Sequence, residues 1–436
     1  MQQVNLGIIG GGTVGSGVFH HLENNGALLS SRLGIKIGLR KIAVKALDEP
    51  RPYAIPSSLM TTDWTTVVND PKVDIVLELV GGLHLAKTMI LTALKLGKPV
   101  ITANKALISA HGEELFAAAS QYKTNLYYEA SVAGGIPIIK AVREGFAGNR
   151  ITHIYGIVNG TCNYILTRMK LEGSDFQPTL AEAQRLGYAE ADPSLDVDGF
   201  DSEHKIGILA SLAHGFWVRP ADIYVEGIRS ISRTDIEFAG KLGYTIKLLG
   251  VVKAIEQPRG HAVQVSVYPA LVPNGHVLAS VNHVFNAVFV RGDVVGDTLF
   301  YGRGAGKDAT ASAVLSDIAD AALDLKHGTR QRIPPFVAHE GHGKVLSIDA
   351  VVSRYYLRLS VIDKPGTLAK ITAILAESKI GISSVIQPEG HEGESVPLIL
   401  MSHAAPNAAM KKALAKIAKS PVIKAAPVMI RLESFE

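Results

Sequence analysis

The sequence predicts an α/β protein of several domains, and three observations carry that prediction. Short apolar runs alternate with helix-like stretches over the first 135 residues. A valine-rich stretch with turn residues occupies the middle of the chain, and a βαββαβ order closes it. Strands separated by helices need crossovers and so form a parallel sheet, whereas apolar runs separated by turns read as antiparallel strands. At roughly 150 residues per domain, the 436 residues suit two to four domains.

Val4–Ile9 reads as a buried first strand that stops at Gly10, and Val14–Leu22 as the helix laid back on it. Further strands are expected at Ile42–Ala46, Val73–Leu79, Val100–Thr102 and Asn125–Glu129. Helices are expected at Leu83–Leu96, stopped by Gly97 and Pro99, and at Glu113–Tyr122. The pattern changes after residue 135. Ile151–Val158 is a strand, helices fall near 179–187 and 201–214, and 251–300 holds antiparallel strands. Ala309–Leu323 is an alanine-rich helix that can return to the first domain. The last unit has a strand at Leu357–Val361, a turn at Asp363–Gly366 and a helix at Thr367–Glu377. Strands near 382–387 and 397–402, a helix at 407–418 and a strand near 422–432 complete a ferredoxin-like module. The expected domains are 1–135, completed by 302–325; 136–301, for substrate and dimerisation; a linker at 326–353 carrying His327, His339 and His342; and 354–436.

Composition narrows the function. Hydrophobic residues at 47%, charged residues at 19% and a mean hydropathy of +0.20 allow a large core and exclude a disordered chain. A net charge of +4 is too small and dispersed for a nucleic-acid partner. The single cysteine, Cys162, excludes an intrachain disulfide and a cysteine zinc cluster, and suits a reducing compartment. No apolar run reaches the roughly 18 residues of a membrane helix, and the N-terminus has no basic n-region. A cytoplasmic protein without a membrane partner is expected.

The glycine loop points to a ligand. Gly10-x-Gly12-Thr13-Val14-Gly15 follows the first strand directly and opens a helix. The first glycine permits the tight turn, the second lets backbone approach a pyrophosphate, and the third lets helix pack on strand. The helix N-terminus adds amide donors and a favourable dipole. In this strand–turn–helix setting the spacing reads as a Rossmann-type dinucleotide site. A site for NAD(H) usually places a carboxylate at the end of the second strand. Here Arg40 and Lys45 stand near that position, with Asp48 beyond. Basic residues suit a 2′-phosphate, so NADP(H) is preferred, with NAD(H) also usable.

Ala183–Lys205 holds Glu190, Asp192, Asp196, Asp198, Asp201, Glu203 and Lys205. Asp201 and Lys205 share a helix face at i,i+4 spacing. By itself such a pair is most simply an exposed ion pair. The irregular carboxylates before it suit a substrate ammonium, and a lysine beside carboxylates in a closed site can pass a proton.

This stretch resembles the homoserine dehydrogenase signature at Ala183, Gly187, Tyr188, Ala189, Asp192, Pro193, Asp196, Val197, Gly199, Asp201 and Lys205. The resemblance continues at Gly10–Gly15, Thr102–Lys105, Glu129–Val132, Asn159–Thr161 and Gly302–Gly306, and spans residues 1 to about 325. It implies reversible NAD(P)H-dependent reduction of L-aspartate 4-semialdehyde to L-homoserine, in the biosynthesis of threonine, methionine and isoleucine. It makes Lys205 the proton donor to the carbonyl oxygen and Asp201 the residue that positions substrate and lysine. Glu190 would bind the substrate ammonium, with Tyr188 and Asp196 nearby and Gly160 and Thr161 lining the site. Lys105 would lie beside nicotinamide and substrate, and Gly302 and Gly306 would touch the cofactor. After Gly306 the chain has Lys307-Asp308, where the family more often has glycine and proline. The family also binds a monovalent cation, commonly sodium, which carries over to Glu129, Val132, Gly134 and Ile136, mostly through carbonyls. Oxygen-only ligation suits a hard cation.

Residues from about 354 to 432 resemble an ACT domain through Leu357-x-Leu359-x-Val361-x-Asp363-Lys364-Pro365-Gly366 and Gly381-Ile382. That resemblance implies side-by-side pairing and an amino-acid effector, L-threonine, in a homodimer or homotetramer. Two competing expectations stand beside this one: a thiol-dependent semialdehyde dehydrogenase using Cys162, and a non-catalytic amino-acid sensor on a dehydrogenase scaffold. His339-Glu340-Gly341-His342 lacks the spacing of a zinc helix and reads as linker.

Overall fold

The computed structural model describes residues 2–256, 261–391 and 393–435; residues 257–260, inside the expected valine-rich strands, lie outside the described residues. The chain forms two compact units. One comprises Met1–Thr152, Gly207–Pro220 and Asn286–Gly343, and the other His153–Ile206, Ala221–Phe285 and Lys344–Glu436. The boundaries expected at 135, 301 and 353 fall inside these segments.

The first unit holds a six-stranded sheet in the order Met60–Thr61, Ile35–Ala43, Gln2–Ile9, Ile75–Glu78, Val100–Thr102, Leu126–Tyr127. Every pairing in it is parallel. Leu6, Ile8, Ile35, Ile42, Ile75, Leu77 and Ile101 are buried in its core. Burial on both faces explains why Ile75–Glu78 and Val100–Thr102 lie in near-continuous apolar runs rather than in alternation. The helix Lys307–Lys326 lies against the glycine-loop helix, Thr13–Leu33. Gly17 makes the approach possible, since a Cβ there would sit 2.7 Å from the Lys307 carbonyl oxygen.

Two early elements differ from expectation. The first helix runs to Leu33 rather than Leu22, and the second strand is Ile35–Ala43 rather than Ile42–Ala46. Leu22, Leu29 and Leu33 all pack on the core, which carries the helix through its Asn–Asn–Gly stretch. Gly34 then stops it in the left-handed conformation, its N–H bonded to the Ser30 carbonyl. The helix expected from Glu113 follows a kink at His111 (φ −132°), and a further helical segment, not expected, precedes it from Lys105, capped by the Asn104 side chain, which accepts from the Leu107 N–H at 3.1 Å. Past residue 326, Phe336 sits edge-on to Trp217 (5.5 Å between centroids) and stacks on Phe116 (6.1 Å). The Tyr128 hydroxyl donates to the Pro335 carbonyl at 2.5 Å, so this part of the expected linker is seated on an aromatic cluster.

In the second unit the strands follow the order Ile151–Ile157, Tyr244–Glu256, His261–Pro273, Val428–Leu432, Val352–Ile362, Ser395–Ser402, Ile382–Ile386. Tyr244–Glu256 and His261–Pro273 pair antiparallel over their full length. The last four strands with helices Thr367–Glu377 and Asn407–Ala418 make the expected βαββαβ module, with Leu357, Leu359, Leu398, Leu400, Ile371 and Ile417 in its core. Val428–Leu432 also runs parallel to His261–Pro273, through Ala270–Arg431 and Leu271–Leu432. The same strand takes Tyr224–Val225 at Ser266–Val267 and Lys344–Val345 at Ala262–Val263. Arg358 adds a two-pronged bond to the buried Asp235, at 2.7 and 3.1 Å. Among the described residues no helix is long and apolar enough to cross a membrane.

Candidate active site

The glycine loop has the geometry its spacing implies. Gly10 adopts φ 108°, and a Cβ there would lie 2.5 Å from the Leu79 carbonyl oxygen. A Cβ on Gly15 would fall 1.8 Å from the Gly10 oxygen, whereas one on Gly12 meets nothing within 4 Å. Gly12 is thus the open side of the turn. Thr13, Val14 and Gly15 form the first turn of a helix with no side-chain cap, so its leading amides are available to an anion. Lys45 is exposed just past the second strand. Arg40 lies within that strand, beside Leu39 and Lys41, which pair with Leu6 and Gly7, and its guanidinium faces Asp70 at 3.8 Å. Gly306, at φ 114°, precedes helix Lys307–Lys326 with open space around it, and Gly302 packs on Ile136. The departure at Lys307-Asp308 has its own contacts: Asp308 accepts from Tyr53 (2.8 Å) and contacts His21 (3.0 Å), while the Lys307 ammonium lies 4.1 Å over the Tyr53 ring. Lys105 is half-buried at the start of its helix.

The carboxylate-rich stretch folds around Lys205 within the second unit. Helix Phe200–His214 buries Asp201 and Lys205 together; they are 5% and 7% exposed. The Lys205 ammonium donates to Asp201 Oδ2 at 2.7 Å and to the Val158 carbonyl at 2.6 Å. Its third hydrogen has no partner among the described residues. Asn159 lies beside this pair, and its amide donates to Asp196 Oδ1 (2.6 Å) and Asp201 Oδ2 (2.9 Å). The Thr161 hydroxyl reaches the Tyr188 carbonyl (2.6 Å) and Asp196 Oδ2 (3.1 Å). Burial raises the Asp196 carboxyl and Asp201 adds to this, while hydrogen bonds from Asn159 and Thr161 and the Lys205 charge oppose it. An exposed surface ion pair would show none of this burial.

Asp196, Asp201, Lys205, Thr161 and the Tyr188 carbonyl therefore share one hydrogen-bonded group, with Gly160 in the chain between two of its members. Glu190 is exposed, its carbonyl accepting from Gln184 at 3.0 Å, and no bond joins its side chain to the group. The Tyr188 ring is 44% exposed and packs on Tyr164 at 4.9 Å. Asn159 and the Val158 carbonyl were not expected from sequence. The polar Asn before Gly160-Thr161 was the available signal, as a helix-capping residue. The thiol alternative fails on electrostatics. Cys162 is fully buried, and burial with the carboxylates of Asp196, Asp201 and Asp198 pushes its thiol well above the usual range, so it holds no reactive thiolate.

In the first unit Glu129 is 4% exposed, and burial raises its carboxyl to about 7. Its two oxygens accept the Ile139 and Lys140 amides at 2.9 and 2.8 Å, leaving its carbonyl as the donor to consider for a cation. Ala133 (φ 54°) and Gly134 (φ 50°) turn the following loop, and Val132, Gly134 and Ile136 are buried. A Cβ on Gly134 would meet the Gly304 oxygen at 2.6 Å. The buried Ser131 hydroxyl has no partner in this loop. Among the described residues no three His, Cys, Asp or Glu side chains cluster as metal ligands, so a cation here would be held by main-chain oxygens.

Comparison with known proteins accords with this geometry. Residues 10–129 match the homoserine dehydrogenase NAD binding domain, and residues 137–319 match the homoserine dehydrogenase family model. A Pseudomonas aeruginosa homoserine dehydrogenase is 42% identical over 441 residues, covering all of both chains. The crystal structure of the Thiobacillus denitrificans homoserine dehydrogenase is 41% identical and superposes with a TM-score of 0.93, over 100% of this chain and 99% of that one. A hyperthermophilic archaeal homoserine dehydrogenase solved in complex with NADPH is 26% identical, with a TM-score of 0.61 over 74% of this chain and 98% of its own. A glycine loop with its helix N-terminus uncapped and a buried lysine–carboxylate pair are thus found in a chain that belongs to the homoserine dehydrogenase family of NAD(P)-dependent oxidoreductases.

Proposed function

We propose that the chain reduces L-aspartate 4-semialdehyde to L-homoserine reversibly, with Lys205 as the proton donor. When bound, the reduced nicotinamide supplies the hydride that adds to the aldehyde carbon. Negative charge then grows on the carbonyl oxygen, and a lysine ammonium both stabilises and protonates it. The observation that carries this reading is the buried Lys205 ammonium, held by Asp201 and the Val158 carbonyl with a third hydrogen to give. Asp201 keeps the lysine oriented, and Asp196 with Glu190 takes the substrate ammonium. Lys105 is assigned beside the nicotinamide. In Lys205→Ala, steady-state oxidation of NADPH by the semialdehyde should fall about 10²- to 10⁴-fold while NADPH still binds. Full activity in that variant rejects the assignment.

The preferred cofactor in this proposal is NADP(H). Its pyrophosphate rests on Gly10–Gly15, with Gly302 and Gly306 nearby. Lys45 faces the 2′-phosphate in preference to Arg40, whose guanidinium faces Asp70. Lys45→Ala should lower the ratio of NADPH to NADH efficiency about tenfold, the loss of roughly one charge-assisted contact. The carbonyls of Glu129, Val132, Gly134 and Ile136 would hold a monovalent cation that orders their loop. The left-handed turn and the unpartnered Ser131 hydroxyl fit that use. The C-terminal module is assigned as an ACT domain that takes L-threonine and pairs with a second copy. Threonine added to the same assay, and light scattering of the purified protein, test those two assignments.

A further inference from the structure

Asn159 makes three side-chain hydrogen bonds, donating both amide hydrogens and accepting one main-chain N–H. Its Oδ1 accepts from the Cys162 N–H at 2.8 Å and caps helix Gly160–Glu172. Its Nδ2 carries two hydrogens, one directed at Asp196 Oδ1 and the other at Asp201 Oδ2. Asn159 is only 4% exposed, so water does not substitute for these bonds. We propose that Asn159 is a positioning residue for the reaction, whose single amide, anchored by the helix cap, spaces and orients the substrate-facing Asp196 and the lysine-holding Asp201 together. This rests on the assignment of Lys205 as proton donor.

The chemistry singles out an amide. Two carboxylates in one buried site repel, and one of them tends to take up a proton. A group between them must donate twice, remain neutral and also accept from the helix amide. Asparagine meets all three demands at this length; serine, aspartate or leucine does not. The charged groups facing the Asp196 carboxyl are Asp201 and Lys205 from helix Phe200–His214, and the Cys162 thiol of helix Gly160–Glu172 donates to the Asp196 main-chain carbonyl. Burial and Asp201 favour the protonated Asp196, and Asn159 opposes them. Without the amide, Asp196 takes up its proton at a higher pH and stops attracting a substrate ammonium.

The full-length Asn159→Ala and Asn159→Asp variants test this. Asn159→Asp keeps the size and the capping oxygen but replaces two donors by a third carboxyl, so it remains informative where Asn159→Ala does not fold. Both should bind NADPH, followed by fluorescence, as the unaltered protein does. Both should lose about 10²-fold in kcat/KM, the scale expected when reacting groups shift by about an ångström, with KM for L-homoserine raised. The acid limb of the kcat/KM profile should move to higher pH in Asn159→Ala. A purely structural role would lower the melting temperature and kcat without moving that limb, and would overturn the proposal. Unaltered kinetics in both variants beside an inactive Lys205→Ala also overturn it while leaving the lysine assignment intact. A fully active Lys205→Ala removes both.

Discussion

The glycine loop and the Lys205 cluster are built in opposite ways. The loop works through atoms it lacks: at Gly10 and Gly15 any side chain meets backbone, and at Gly12 the absence leaves open space. The cluster works through atoms it holds in place, with Val158, Asn159, Asp196 and Asp201 arranged about one ammonium. A site of absences is local, so it shows as spacing within six residues. A site of held groups is drawn from residues 158 to 205, and apart from the i,i+4 spacing of Asp201 and Lys205 it shows no period.

The contrast predicts what substitution does in each region. Within the loop Gly15→Ala should have the largest effect, because its Cβ would lie 1.8 Å from a backbone oxygen that cannot yield cheaply. Overpacking of this kind costs about 1–3 kcal/mol or more. NADPH affinity in fluorescence titration should drop about 10²-fold or the protein should lose stability, whereas Gly12→Ala should keep its melting temperature and weaken NADPH alone. Normal NADPH binding together with an unchanged melting temperature in Gly15→Ala would break the account of the loop.

Asp201→Asn keeps the shape of the second region and removes its charge. Turnover should fall on the order of 10- to 10²-fold, with NADPH affinity unchanged, in the same assays. An effect on NADPH instead would show that the two regions do not divide the work as described.

A second buried lysine sharpens the comparison. Lys247 is 1% exposed, and its ammonium donates to Asn163 Oδ1 (3.0 Å), the Val281 carbonyl and Asn282 Oδ1 (3.3 Å), with no carboxylate among these partners. Burial, and then the Lys170 charge, lower it from 10.5 to about 7. Between those values the unfolded chain holds a proton that the folded chain has released, so stability rises with pH across that window. The slope is at most about 1.4 kcal/mol per pH unit for one group. Lys247→Met should flatten that part of the melting-temperature profile and leave kcat near its original value. Loss of turnover would show that an ammonium without a carboxylate partner also matters to the chemistry.

How much was legible in sequence follows the same division. The alternation of the first sheet, the glycine loop and the terminal βαββαβ module all arise from local periodicity or turn chemistry, and each shows in the residue pattern. Helix Gly160–Glu172 was not anticipated. It is buried on nearly every side from Thr161 to Met169 and so has no apolar stripe to detect. The first helix is expected only as far as Leu22, and tertiary packing of Leu29 and Leu33 carries it on to Leu33. The Asp201–Lys205 spacing was visible, but its burial was not. The i,i+4 rule describes surface pairs and buried pairs alike, so only the resemblance to a known signature separated them.

The edge of His261–Pro273 is closed by three two-residue pairings, from Tyr224–Val225, Lys344–Val345 and Arg431–Leu432. These pieces come from positions up to about two hundred residues apart, and the last is made roughly 160 residues after the strand it seals. Until then part of a thirteen-residue strand offers its amides and carbonyls to any neighbouring chain. Synthesis of this protein therefore passes through a stage in which an aggregation-prone edge awaits Arg431 and Leu432. Termination between residues 400 and 430 would yield a chain that holds the Lys205 cluster in sequence but leaves the Ala270–Leu271 edge unsealed.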